Sequence, residues 1–269
     1  MPFFHRYIAV AAAFLSAPLA QAGCSRDIQV PVANTGASIV IDGARVTGIY
    51  PELLRSLGQK EGCHFNFSPV PRARLELMFE TGKADILIPA TRTASRDVNG
   101  IFVPMMRHRA TLISVASSRP AITSGQELLE RRDIRVAVVR GFDYGEAYQG
   151  LIRELNKQGR LFTEVDPTAV ARLMHLGAVD MTIMGPTILA GVINREPRVS
   201  GLLEKIRLEP IPELPWQYNG VYVSRRSLSA EDQAALVELL EKAGKSGAVL
   251  EAFQRYHRPD IMSESVRPR

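Results

Sequence analysis

The sequence predicts an α/β protein of two lobes, each a sheet flanked by helices, joined by two crossing strands. Three observations point there. Short β-rich runs alternate with amphipathic helices, which marks βαβ units and parallel sheets covered on both faces. A helix–glycine–strand passage occurs twice, at residues 78–86 and 174–181, about 95 residues apart. Gly82 and Gly177 each supply the left-handed cap that ends the helix. Two further runs rich in β-formers, 109–116 and Gln217–Ser224, stand between the halves and suit strands that cross from one lobe to the other.

The elements follow in order. Residues 27–33 read as a strand. Residues 48–58 read as a helix with Pro51 in its first turn and Ile49, Leu53, Leu54 and Leu57 on one face. Phe65–Pro69 is a strand, Arg72–Glu80 a helix and 85–88 a strand. The second half gives strand 135–139, helix 145–157, strand 161–165 and helix 167–176, with Asp166-Pro167 as N-cap and first turn. Strand Met181–Met184 and helix 187–193 complete it. A capping box at Ser229 to Asp232 starts a helix carrying Ala235, Leu236, Leu239 and Leu240, and a second helix covers 247–256. The polar tail, 258–269, is expected to fray.

Composition supports this reading. A chain of 269 residues with 46% hydrophobic and 23% charged residues is globular, not disordered, collagenous or coiled-coil. The net charge of +5 comes from scattered basic residues, so nucleic-acid binding is not implied. Residues 1–22 read as a secretory signal: His5 and Arg6, an apolar run over 7–19, then the small-x-small site Ala20-Gln21-Ala22. Cleavage after Ala22 places the chain in the periplasm. Lipidation of Cys24 is a minor reading, because Gln21 stands where an aliphatic residue is wanted. No later segment approaches eighteen apolar residues, so no membrane insertion is expected. The two cysteines, Cys24 and Cys63, each precede a strand-like run; parallel neighbouring strands would bring them together as a disulfide.

Standard catalytic patterns are missing. The sequence has no HExxH, CxxC or GxSxG, and Gly244-Lys245-Ser246 lacks the upstream glycine of a phosphate loop because Leu239 stands there. His64, His108, His175 and His257 have no ligand spacing, so neither metal nor cofactor is expected. The informative stretch is 84–97, an apolar strand running into a turn with hydroxyls and the guanidiniums of Arg92 and Arg96. Ligands of open α/β sheets bind at the carboxyl ends of strands, and an arginine fork there suits a carboxylate or phosphate.

On these residues the chain resembles the type-3 extracellular solute-binding proteins, which include polar amino-acid binders of ABC importers. Residues 48–54 are similar to that family's first helix, 69–85 to its second helix and following strand, and 90–96 to its ligand-clamping turn. Residues 136–145 resemble the first strand and loop of its second lobe, and the stretch from Tyr222 to Tyr256 its closing segment. The resemblance implies a type II periplasmic-binding-protein-like fold, with lobes 23–112 plus 220–269 and 113–219, hinged about a cleft. It implies that Arg96 grips a ligand carboxylate, with Thr91 assisting and Arg92 and Arg72 nearby. The second lobe would add Gly141, Phe142 and Tyr144 and the helix start at Gly185-Pro186-Thr187, whose free N–H groups favour an anion. Tyr50, with Phe142 and Tyr144, would pack on an apolar ligand part. The implied partners are a small carboxylate-bearing ligand, amino acid or organic acid, and an ABC permease; the implied state is a monomer.

Two departures from the family pattern favour an organic anion over an α-amino acid. Met184-Gly185-Pro186-Thr187 has no acid for a ligand ammonium, with Asp143 the one substitute, and Arg92 adds a base to the clamping turn. One rival is a cyclic-acid dehydratase on the same scaffold, for which Glu52, Asp143 and His175 are the loose candidates for acid–base work. Another is a ligand-sensing regulatory partner of a membrane protein.

Overall fold

The computed structural model describes residues 23–269; the signal and its cleavage site lie outside the described residues. The chain begins with β1 (Ile28–Val32), a hairpin of β2 (Val40–Asp42) and β3 (Arg45–Thr47), and helix α1 (Ile49–Glu61). It continues through β4 (Phe65–Pro69), α2 (Arg72–Glu80), β5 (Ile86–Thr91), α3 (Ala94–Asp97) and β6 (Gly100–His108). β1 and β4 pair in parallel with Ile28 opposite Phe65. That register puts the residues just before both strands at one edge, and Cys24 and Cys63 are disulfide-bonded there with Cα atoms 4.9 Å apart. Gly58 makes the approach feasible: a Cβ on it would stand 2.1 Å from the Cys63 carbonyl oxygen.

The second lobe contains β7 (Thr111–Val115), α4 (Gly125–Glu130), β8 (Val136–Val139), α5 (Glu146–Lys157), β9 (Leu161–Glu164), α6 (Pro167–His175), β10 (Met181–Met184), α7 (Pro186–Ile193) and β11 (Ile206–Glu209). Its sheet order is β11-β7-β10-β8-β9. The Asp166 side chain accepts the Ala169 N–H at 2.9 Å, and Gly82 and Gly177 take φ of 71° and 67°, as their roles as cap and terminators require. The chain then returns through β12 (Gln217–Ser224), α8 (Ala230–Lys245), α9 (Ala248–Tyr256), α10 (Pro259–Ser263) and β13 (Val266–Arg267), closing a sheet of order β13-β6-β12-β5. Each lobe has its own core: Leu112, Val136, Met181 and Leu189 in the second, Ile28, Leu54, Ile86 and Val221 in the first.

Structure and expectation differ at four points. The sheets are mixed, because β12 runs antiparallel to β5 and β6, and β7 antiparallel to β10 and β11. β6 had no counterpart in the sequence reading. Pro104 interrupts its pattern, and the sheet accommodates it where the β12 register shifts between Asn219 and Gly220. Of the two runs taken to cross between lobes, 109–116 carries the first crossing at its start and continues as β7, whereas Gln217–Ser224 is β12, wholly in the first-lobe sheet. The chain passes from β6 to β7 at Arg109-Ala110, and back through residues 210–216. The tail does not fray: Ile261, Met262 and Val266 are buried, and Val266 pairs with His108 at the end of β6. Trp216, at the return passage, has the guanidinium of Arg267 4.0 Å and that of Arg109 4.8 Å from its ring centre. Among the described residues no helix is long and apolar enough to cross a membrane.

The disulfide spans 39 residues of chain, so reducing it should cost about 4 kcal/mol and lower the melting temperature by about 10 °C. Melting with and without reductant, with thiol alkylation as the control, checks this; an unchanged melting point on full reduction contradicts it.

Candidate functional site

A cavity of about 50 Å³ lies between the lobes. Its first-lobe wall includes Arg72, Thr91, Arg96 and His108; the second lobe contributes Phe142, Tyr144 and Thr187. Arg72 opens α2, and Arg96 lies on α3, the short turn that the Thr93 hydroxyl caps by accepting the Arg96 N–H. Both guanidinium side chains are almost fully buried, at 6% and 5% exposure.

One carboxylate holds both. Arg96 donates from Nε to Glu76 Oε2 at 3.1 Å and from Nη2 to Oε1 at 2.8 Å, a two-bond fork. Arg72 donates from Nη2 to Oε1 of the same carboxylate. Their remaining bonds go to backbone carbonyls, Arg96 Nη1 to Thr91 at 2.8 Å and Arg72 Nη1 to Pro89 at 3.0 Å. Arg72 Nε is buried with no partner among the described residues. Burial pushes the Glu76 carboxyl up, but Arg72 and Arg96 together outweigh it and hold it below its ordinary value. The cluster is therefore two buried cations against one buried anion.

The neutral groups are fixed around it. His108 Nε2 and Thr91 Oγ1 share a hydrogen bond of 2.8 Å. Burial first, and the charge of Arg96 second, push His108 down to about 4, so its imidazole is neutral at neutral pH. Its ring centre lies 5.8 Å from that of Tyr144, whose hydroxyl burial pushes above its ordinary range. Gln217 donates to the Tyr144 carbonyl at 2.8 Å, tying the return passage to the second lobe.

The lobes are closed on each other. Gly141 has φ +85°, and a Cβ there would stand 2.9 Å from the backbone of Ala73 at the start of α2. A Cβ on Gly191 of α7 would stand 2.5 Å from Ala37 N in the loop after β1. Both places need glycine because backbone meets backbone across the cleft.

The expected residues distribute unevenly. Thr91, Arg96, Arg72, Phe142, Tyr144 and Thr187 line the cavity. Arg92 does not: its side chain is 60% exposed, paired with Asp97 at 3.0 Å. It precedes the Thr93 cap, whereas Arg96 sits inside the turn that the cap starts. Tyr50 is buried in the first-lobe core and backs the wall, its hydroxyl 3.4 Å from Asn219 Oδ1 and its ring edge-on to Phe253. Gly141 lines the neighbouring pocket, and Pro186 is buried outside the cavity wall. The Thr187 N–H is not free, because it donates to Ser265 Oγ at 3.2 Å. The acid–base candidates are scattered: Glu52 accepts from Gly48 on α1, His175 is exposed at the end of α6, and Asp143 alone is in the wall. The sequence reading missed Glu76, His108, Asn219, Ser38 and Val266. His108 carried a usable signal, its place immediately before the run 109–116 that stands between the halves.

No family model matches the sequence, and no curated protein does. Solved structures do match. A histidine kinase sensor domain with similarity to periplasmic binding proteins aligns with TM-score 0.67 at 18% identity, covering 86% of this chain and 96% of that one. The amino-acid ABC transporter substrate-binding protein AbpA from Streptococcus pneumoniae, bound to L-arginine, gives 0.66 at 19% identity over 86% and 97%. A putative L-cystine ABC transporter protein from Listeria monocytogenes gives 0.67 at 16% over 89% and 99%. The fold is that of the two-lobed periplasmic binding proteins. Within this fold the cavity lies where the two lobes meet, and Arg72, Glu76 and Arg96 stand on its first-lobe side.

Two outcomes follow from the site. A His108 lowered to about 4 from 6.5 means that below pH 6.5 the unfolded chain takes up a proton that the folded chain refuses. Stability is then full above that pH and falls as pH drops toward 4, by about 3 kcal/mol for this group. His257, also pushed down to about 4 by burial, acts in the same direction. Melting temperatures across this window should decline, and less so for His108→Gln; a flat profile contradicts the burial of a neutral imidazole. Gly141→Ala should hold the lobes apart, seen as a larger radius of gyration in X-ray scattering; an unchanged radius contradicts the close approach.

Proposed function

We propose that this chain is an exported solute-binding protein that captures a small carboxylate-bearing metabolite, an amino acid or organic acid, by hinge closure and delivers it to an ABC permease in the membrane. The lobes close about the passages at 109–110 and 210–216, so the bounds expected from sequence, 23–112 plus 220–269 and 113–219, shift to put β7 wholly in the second lobe and β12 wholly in the first; cleavage behind Ala22 leaves the chain in the periplasm. The observation that carries the reading is the pair of guanidiniums, Arg72 and Arg96, buried in the cleft wall with a single carboxylate between them and Arg72 Nε unpaired. A buried cation with an unpaired donor is costly, and a ligand carboxylate removes that cost. In this reading Arg72 and Arg96 hold the carboxylate, Thr91 and His108 fix the edge of the clamp, and Phe142, Tyr144 and Thr187 close over the remainder. Ligand contact with both lobes stabilises the closed arrangement.

The neighbours in fold support solute binding, since those from Streptococcus and Listeria are described as transporter components. The sensor-domain neighbour supports a second use of the same closure, signalling to a membrane partner. Catalysis has less support, because Glu52, Asp143 and His175 do not converge.

A thermal-shift screen of residues 23–269 against amino acids and organic acids tests the proposal. A ligand at a hundred times its dissociation constant should stabilise by about 2.7 kcal/mol, a shift of roughly 5–10 °C. Arg96→Ala should weaken that ligand by about 2–5 kcal/mol, while Arg92→Ala should leave it unchanged. Equal binding by Arg96→Ala and wild type contradicts the clamp, and product formation from a bound acid contradicts a pure receptor.

A further inference from the structure

The cleft has two places that can accept an anion, and the chain already fills part of each. The first is the arginine pair, where Glu76 takes the two-bond fork of Arg96 and one N–H of Arg72. The second is the N-terminus of α7, where aligned N–H groups favour negative charge. There the C-terminal segment intervenes. Ser265 Oγ accepts the Thr187 N–H at 3.2 Å and lies 3.0 Å from Thr187 Oγ1, and Ser265 is 1% exposed. Its position is fixed from both sides. The Arg109 N–H donates to the Ser265 carbonyl at 3.2 Å, the Ser265 N–H to Met262 at 3.0 Å, and the following Val266 pairs with His108 and lines the cavity.

Resting on the solute-binding reading above, we infer that Glu76 and Ser265 together set the ligand's charge and size: the cleft takes a small monoanionic carboxylate, hydroxylated or oxo-substituted, in preference to a dianion or an amino-acid zwitterion. The buried charges leave one positive unit after Arg72, Arg96 and Glu76 are counted, and one carboxylate neutralises it. A second carboxylate meets neither a cation nor a vacant helix end, and an ion buried without a partner is strongly disfavoured. Asp143 is the acid that lines the cavity itself, whereas Glu76 sits behind the arginines and lines the neighbouring pocket. Asp143 is half-buried, its Oδ1 already accepts from the Gly145 N–H at 2.9 Å and Gln149 Nε2 at 3.1 Å, and it also lines the neighbouring pocket. The neutral groups that remain, Ser38, Thr35 and Asn219 among them, suit a hydroxyl or carbonyl oxygen. The cavity is small, about 50 Å³, which favours acids of few carbons over long-chain ones.

Titration calorimetry on the purified chain tests this with matched probes: lactate, pyruvate and 3-hydroxybutyrate as monoanions, malonate, malate and succinate as dianions, alanine and serine as zwitterions. The expected result is that a monoanion binds about tenfold or more tighter than the dianion and zwitterion of its length. Ser265→Ala, which frees the Thr187 N–H and removes a single hydroxyl, should raise the dianion-to-monoanion affinity ratio by about tenfold. Glu76→Gln, checked for folding by its melting curve, should raise it further. A wild type that prefers a dianion or a zwitterion overturns this inference and leaves the solute-binding reading standing. So does an unchanged ratio in Ser265→Ala. Binding of none of the three classes, with no shift from larger acids either, overturns both; a shift from larger acids alone overturns the size and charge assignment only.

Discussion

Glu76 between Arg72 and Arg96 is the arrangement on which the cleft depends. Two guanidiniums this deeply buried would repel each other and lack counter-charge in a low-dielectric setting. The shared carboxylate makes them tolerable side by side and aims them, because the fork from Arg96 leaves no rotational freedom about its plane. α2 supplies Arg72 and Glu76 one turn apart, and α3 brings Arg96 across to meet them. The local sequence thus builds a cationic cluster whose charge is only half neutralised by the protein itself.

Around that cluster the lobes meet backbone to backbone. Gly141 against Ala73, and Gly191 against Ala37, allow an approach that any side chain would prevent. The C-terminal segment adds a contact that the two passages alone would not give: Arg109, Glu264, Trp216 and Arg267 join both passages to the tail, and Ser265 reaches α7 of the second lobe. Binding energy gained by a ligand between the lobes is therefore drawn from a surface in which each element already has a defined place.

Much of the scaffold was legible in the sequence. The helix over Arg72–Glu80, the Asp166 cap and the terminators Gly82 and Gly177 follow from local rules that tertiary packing did not override. The Cys24–Cys63 pairing followed from the parallel placing of two strands. What escaped was non-local. Pro104 hid β6, whose pairing is rescued by a register shift in a strand more than a hundred residues away. The tail looked polar, yet three apolar side chains anchor it. Arg92 and Arg96 are alike in sequence, and only the turn started by Thr93 separates an exposed ion pair from a buried clamp. Glu76 was indistinguishable from any acid on a helix face until α3 was folded against it.

The most direct measurement is a crystal structure of the chain with its carboxylate ligand in the cleft. The account predicts ligand carboxylate oxygens within hydrogen-bonding distance, about 3 Å, of both the Arg72 and Arg96 guanidiniums, with Glu76 still bridging them. A ligand whose carboxylate lies elsewhere, or whose cationic group takes Glu76 away from the arginines, would contradict it.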